Sequence, residues 1–162
     1  MSNRQVLVVA VMMWAVCGMS AFRVFAADMF SGNWKENISK STYPSGTTPK
    51  QPTIQKVDAS DGLKVQRDFV LANGQRGHVE YMLKFDAKDY ALTATLEGAP
   101  VPDPNTISAK KIDDFTIEFT VKNQGKITTT GKWVVSKDGK TLTWTQTPGG
   151  RPETYRYIYE KQ

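Results

Sequence analysis

The chain has 162 residues, a formal net charge of +5, one histidine and one cysteine. A single His and a single Cys do not supply a metal centre, which needs several such ligands converging. The basic excess is scattered, with Lys110-Lys111 the only adjacent basic pair, so the patch that tracks phosphates is missing and no nucleic-acid partner is predicted.

Arg4, the apolar run Val6 to Met19 and the sequence Val24-Phe25-Ala26 have the order of an export signal: a positive start, an apolar centre and small residues before the cut. Cleavage is predicted between Ala26 and Ala27, which leaves residues 27–162 as one domain. The apolar run is short of the roughly 20 residues that a membrane span needs, and no stop-transfer segment follows. The mature protein is therefore predicted to be exported, periplasmic or secreted, with no stable membrane span. Arg23 close to the cut raises the alternative of an uncleaved tether. Cys17 raises that of a lipid anchor, although Trp14-Ala15-Val16 lacks the Leu and small residue usual ahead of such a cysteine. Loss of residues 1–26 removes the only cysteine and two arginines, lowering the net charge from +5 to +3. Without disulfides the chain relies on its own core, and domains of about 150 residues bury roughly two-thirds of the surface that their unfolded chains expose.

The first strand is predicted from Gly32 through Trp34 and Glu36 to Ile38. Ser39–Pro52 carries Pro44, Gly46, Pro49 and Pro52 and reads as a wrapping loop. Nine further strands follow: Thr53–Ala59, Leu63–Leu71, Gly77–Phe85, Tyr90–Glu97, Thr106–Lys111, Phe115–Lys122, Lys126–Val135, Lys140–Thr147 and Thr154–Glu160. The pairs Asp61-Gly62, Asn73-Gly74, Gln124-Gly125 and Asp138-Gly139 mark hairpin turns between them. Gly98–Pro104, with three prolines, reads as a stiff loop that stays out of the ladder, and Pro148–Pro152 as its counterpart. No stretch of residues 27–162 has helical periodicity. The fold class is all-β: an antiparallel up-and-down meander of about 8–10 strands that hides one face and both edges by closing into a barrel.

Strand parity names the inward side chains, because successive residues face opposite ways. Leu63, Val65, Arg67, Phe69 and Leu71 form one such row, and Val79, Tyr81, Leu83 and Phe85 another. Tyr90, Leu92, Ala94 and Leu96 continue the set, with Phe115, Ile117, Phe119 and Val121 beyond them. The last three rows are Ile127, Thr129, Gly131, Trp133 and Val135; Leu142, Trp144 and Gln146; and Tyr155, Tyr157 and Tyr159. Burial of each large apolar chain is worth about 1.5–3 kcal/mol, enough to drive closure.

Gly32-Asn33-Trp34-Lys35 resembles the Gly-x-Trp start of lipocalin-like barrels. A broader likeness runs through Lys40-Ser41-Thr42-Tyr43, Lys110-Lys111-Ile112-Asp113-Asp114, Val135 to Thr143 and the terminal Ile158-Tyr159-Glu160-Lys161-Gln162. These segments look like those of small exported bacterial lipocalin-like proteins, a family without an established biochemical role. The resemblance implies a barrel in which Trp34 closes one end beneath an arginine from the last strands, Arg156 or Arg151. The chain departs from lipocalins in lacking bridging cysteines and the helix that normally follows the barrel.

Arg67 brings a guanidinium with five donors into an apolar row, where a charge needs a partner. That partner is either the carboxylate of a fatty-acid-like ligand or an internal group, a tyrosine hydroxyl or a rim carboxylate. A bulge that turns Arg67 outward is the third possibility. Ala94, Thr129 and Gly131 are small and favour a void, whereas Phe69, Phe85, Phe119, Trp133, Trp144 and Tyr157 favour filling. Gly131 also reads as a bulge or bend. His78 lies on the polar parity and reads as a surface imidazole. No strand sets a carboxylate in clear inward register, and no Ser or Cys nucleophile pairs with a base, so no enzyme and no cofactor are predicted. Two functions lead, with an enzyme whose site lies at the barrel mouth as a lesser third. One is an interior that binds a small hydrophobic or amphipathic molecule, with Arg67 at an anionic head and Tyr81, Phe119, Trp133, Trp144 and Tyr157 along the apolar part. The other is a filled barrel that contacts an envelope protein through its rim loops, Ser39–Pro52 and Gly98–Pro104.

Overall fold

The computed structural model describes residues 27–102, 105–150 and 153–162. The predicted leader over residues 1–26, Arg151, and parts of the two proline-rich loops lie outside them. A short helix, α1 (Ala27–Phe30), precedes β1 (Gly32–Glu36), β2 (Ile54–Ser60), β3 (Gly62–Val70), β4 (Arg76–Leu83), β5 (Tyr90–Leu96) and β6 (Ala99–Pro100). There follow β7 (Asn105–Lys111), β8 (Thr116–Asn123), β9 (Lys126–Val135), β10 (Thr141–Pro148) and β11 (Tyr155–Lys161). All pairings are antiparallel. Neighbours run β4-β3-β2-β1-β11-β10-β9-β8-β7-β5, and β5 returns to β4, so ten strands close into an up-and-down barrel. Because barrel diameter grows with strand number, ten strands enclose more space than the eight that side chains just fill.

The turns form where the glycine pairs stand. At Gln124-Gly125 both central residues take positive φ, 48° and 78°, the geometry whose twist matches that of a two-residue hairpin. Glu97-Gly98 does the same with φ of 51° and 78° and folds Ala99–Pro100 back onto Leu96 and Thr95. The loop expected to stay out of the ladder therefore contributes β6. Its proline costs no ladder bond because β6 lies at the free flank of β5. Above Leu92, β5 pairs with β6 instead of β7, so the β5–β7 seam rests on three residue pairs, Tyr90↔Ile107, Ala91↔Thr106 and Leu92↔Asn105. The first strand is shorter than expected: it ends at Glu36, and Ile38–Lys40 forms a 3₁₀ turn.

Parity predicts the core well, with Leu63, Val65, Val79, Leu83, Ile117, Trp133, Val135, Leu142 and Tyr159 all buried. Ile127 and Leu71 are the exceptions, at 52% and 38% exposure, Leu71 lying just past the end of β3. A β-bulge between Val121 and Lys122 pairs Val121 with Thr129 but Lys122 with Ile127, and this one-residue shift turns Ile127 outward. Gly131 is neither the bulge nor a void. It pairs with Phe119, whose ring lies over it where a side chain would stand, and Phe69 covers Gly77 in the same way.

The outer face carries charge in cross-strand pairs, Lys64 Nζ to Glu80 Oε1 at 3.0 Å and Lys132 Nζ to Glu118 Oε1 at 2.8 Å. Threonines of β9 and β10 extend this polar surface. A barrel that crosses a membrane instead presents an apolar band to lipid.

Trp34 closes the lower end, the end that carries the β2–β3 and β9–β10 turns. It is fully buried, and its Nε1 donates to Phe30 O at 2.8 Å, tying α1 across the opening. The cation over its ring is Lys161, with Nζ 5.2 Å from the ring centroid. Arg156, expected in that place, is exposed and on the outward parity of β11. Lys161 shares the parity of Tyr155, Tyr157 and Tyr159 and pairs directly with Trp34. Its stem reaches the ring because Gly32, at φ +132°, has no Cβ to obstruct it.

Candidate functional site

One inward row crosses the sheet along its hydrogen bonds: Lys161, Trp34, Gln55, Arg67, Val79 and Ala94 are successive register partners. Strands in a closed barrel tilt against its axis, so such a row climbs around the lumen. This one rises from the Trp34 closure to the upper half and sets Gln55 and Arg67 side by side on the inner wall.

Two cavities meet at Arg67. The inner one has a volume of about 170 Å³ and is walled by Val79, Tyr81, Ile107, Phe119 and Trp133, among others. The mouth cavity, about 340 Å³, lies beneath the strap of residues 38–53 and is walled by Glu36, Tyr43, Phe69, Leu71, Tyr157 and Tyr159, among others. Arg67, Trp144 and Gln146 border both. Five of the six interior residues picked from parity, Arg67, Tyr81, Phe119, Trp133 and Trp144, thus surround the inner space. Tyr157 belongs to the mouth instead, where its hydroxyl accepts from Gln146 Nε2 at 3.0 Å.

Arg67 is inward, as its register requires, and no bulge displaces it. Its Cζ sits 4.4 Å from the Trp144 ring centroid and 5.5 Å from that of Phe69, cation–π distances for a planar guanidinium. Among the described residues no carboxylate forms an ion pair with it, and no hydrogen bond engages its nitrogens. Its charge nevertheless acts on the lumen. Burial raises the hydroxyl of Tyr81 to about 12, and Arg67 opposes that rise. Burial likewise pushes Tyr159 and Tyr157 upward against the same opposing charge.

Among the described residues four buried polar atoms lack a partner: Nε of Arg67, Nε1 of Trp144, and both amide atoms of Gln55, which is fully buried. Buried groups of this kind are normally satisfied, and each unsatisfied one costs roughly 1–3 kcal/mol. Their concentration on Gln55, its register partner Arg67, and Trp144 over the Arg67 guanidinium marks this wall as a place not shaped for stability alone.

The mouth holds a carboxyl group that the parity argument did not identify. Glu36 is on the inward parity with Trp34 and only 4% exposed. Its Oε1 accepts from the Tyr43 hydroxyl at 2.5 Å and its Oε2 from the Thr53 backbone N–H at 3.1 Å, which fastens both ends of the strap. Burial, and then the bond to Glu36, holds the Tyr43 hydroxyl well above the ordinary tyrosine range. Tyr43 also packs edge-on against Tyr157, centroids 5.4 Å apart, while Thr42 bridges to the Arg156 backbone. The strap thus roofs the mouth. Gln55 was missed too, although Thr53, Gln55 and Val57 share a parity. Beside it Ile54 points outward at 43% exposure, so the apolar signal on β2 is inverted at this step.

His78 is on the outer face, its Nδ1 2.7 Å from Asp68 Oδ1, and takes no part in the lumen. Among the described residues no group of three His, Cys, Asp or Glu is placed to hold a metal ion. No protein-family model and no curated protein sequence matches the chain.

Proposed function

We propose that this chain is an exported, non-catalytic, lipocalin-like barrel that binds a small amphipathic molecule, with an anionic head at Arg67 and its apolar part among the aromatic side chains of the lumen. The observation that carries the reading is the Arg67 guanidinium. It has no acidic partner among the described residues and stands at the junction of two cavities. A ligand carboxylate would form there the charge-assisted pair that the protein itself does not provide. The rival reading, a filled barrel that docks a protein through its rim, has less support, because the lumen contains open space and the Ser39–Pro52 strap is fastened down by Glu36. Export rests on the residue order of the leader, Arg4 through Ala26.

The test is native mass spectrometry of protein purified after expression of the full chain, with organic extraction of whatever travels with it. Quenching of Trp133 and Trp144 fluorescence by added amphipathic acids accompanies it. The expected result is a small molecule bound one to one, with affinity at least ten-fold weaker in Arg67→Met while circular dichroism stays that of the parent. A ligand-free barrel that ignores such acids and is captured by crosslinking through Ser39–Pro52 would overturn the reading in favour of the interaction module.

A further inference from the structure

The proposed function leaves the size and shape of the ligand open, and the lumen constrains both. We infer that the inner cavity takes a small aromatic acid of a single ring, its carboxylate at Arg67 and its ring below, and not a long-chain fatty acid. This rests on the amphipathic-ligand reading and narrows it.

Volume is the first argument. At about 170 Å³ the inner cavity is close to the roughly 150 Å³ in which one benzene ring is accommodated, and short of the roughly 300–1,000 Å³ of sites for larger ligands. It cannot lengthen downward, because Trp34 is fully buried and Phe30 is 1% exposed behind it. Three of its side walls, Tyr81, Phe119 and Trp133, are each 5% exposed or less and part of the continuous core, so it does not widen toward them.

The walls supply the second argument. Trp144 meets Phe119 edge-on at 5.9 Å and Trp133 at 6.0 Å, and Tyr81 belongs to the same lining. A ring entering this space finds aromatic edges and faces to pack against, whereas a flexible chain would lose its rotational freedom there without an equivalent gain.

The position of the charges orients the ligand. The mouth cavity already holds the buried carboxyl of Glu36, and an anionic head placed there would stand beside it. At the Arg67–Trp144–Gln146 wall the head meets a guanidinium and an amide, and the terminal guanidinium nitrogens carry no described bond. The head therefore stops at this wall, and the ring occupies the space beneath it.

Benzoate, phenylacetate, hexadecanoate and the uncharged benzyl alcohol, each titrated against the protein with tryptophan fluorescence and calorimetry as readouts, test the inference. Benzoate or phenylacetate should bind one to one, benzyl alcohol at least ten-fold more weakly, and hexadecanoate without measurable saturation. Arg67→Met should remove the preference for the acid over the alcohol. Leu92→Ala, which enlarges the inner cavity from half-buried β5, should admit 2-naphthoate, and Val134→Ala on the outer face should change nothing. Saturable binding of hexadecanoate with none of the ring acids would overturn the size limit while the amphipathic-ligand reading stood. Equal binding of acid and alcohol would overturn the role of Arg67. Failure of every compound to bind, with the barrel folded, would overturn the inference and the reading beneath it together.

Discussion

At the lower end of the barrel the Trp34 indole donates to Phe30 O, and Lys161 lies over its face. Above it, from Gln55, the register partner of Trp34, upward, Arg67 has aromatic faces in place of a counter-ion, and Gln55 and Trp144 hold polar atoms without a partner among the described residues. The first end is shaped for closure and rigidity. The second retains unspent hydrogen-bonding capacity and open volume, the features on which the proposed ligand site rests. Substitutions at the two ends should therefore act on different observables.

Trp34→Ala should have the largest effect on the fold, a loss of about 3–5 kcal/mol by urea denaturation, because a fully buried indole and its bond to α1 both disappear. A loss below about 1 kcal/mol would mean that the lower closure is not the stabilising end. Alkaline pH acts on the other half. Tyr43, Tyr81 and Tyr159 keep their protons to higher pH in the folded chain than the ordinary value of 10.0. Stability should stay level below about pH 10, then fall as the unfolded chain ionises first, by on the order of 2–3 kcal/mol for Tyr81 by pH 12. Tyrosinate absorbance followed beside circular dichroism checks this, and ionisation of all six tyrosines with the sheet intact would contradict it.

Tyr43→Phe should cost roughly 1–3 kcal/mol, since Glu36 Oε1 would be left buried without its hydroxyl donor. Increased protease cleavage between residues 38 and 53 would show that the strap loosens at that bond. Gln55→Met is the smallest and has the opposite sign. Replacing an amide that has no partners with an apolar chain of similar shape should stabilise by about 1 kcal/mol. A measured destabilisation would instead point to internal water satisfying Gln55 and would weaken the contrast between the two halves.

The barrel was legible in the sequence because closure demands alternation, and that alternation survives through most of the apolar rows. It failed where geometry departed from a count of two. The bulge at Val121/Lys122 turned Ile127 outward, and the hairpin at Glu97-Gly98 recruited Ala99–Pro100 as a strand. The aromatic lining and Arg67 were readable for the same reason as the core. Glu36 and Gln55 were not, because parity is noticed through apolar residues and these two are polar groups at inward positions. Lys161 was hidden by the expectation of an arginine, although the tyrosine period on β11 runs straight into it.

A closed ring also limits how far a second copy can extend the sheet. Among the described residues the open margins of the sheet are short: β6, two residues long, one of them Pro100, which has no N–H to offer, and the part of β7 beyond its three pairs with β5. A neighbouring chain seeking to extend the ladder finds almost no template. Topology thus leaves little open ladder for edge-to-edge pairing.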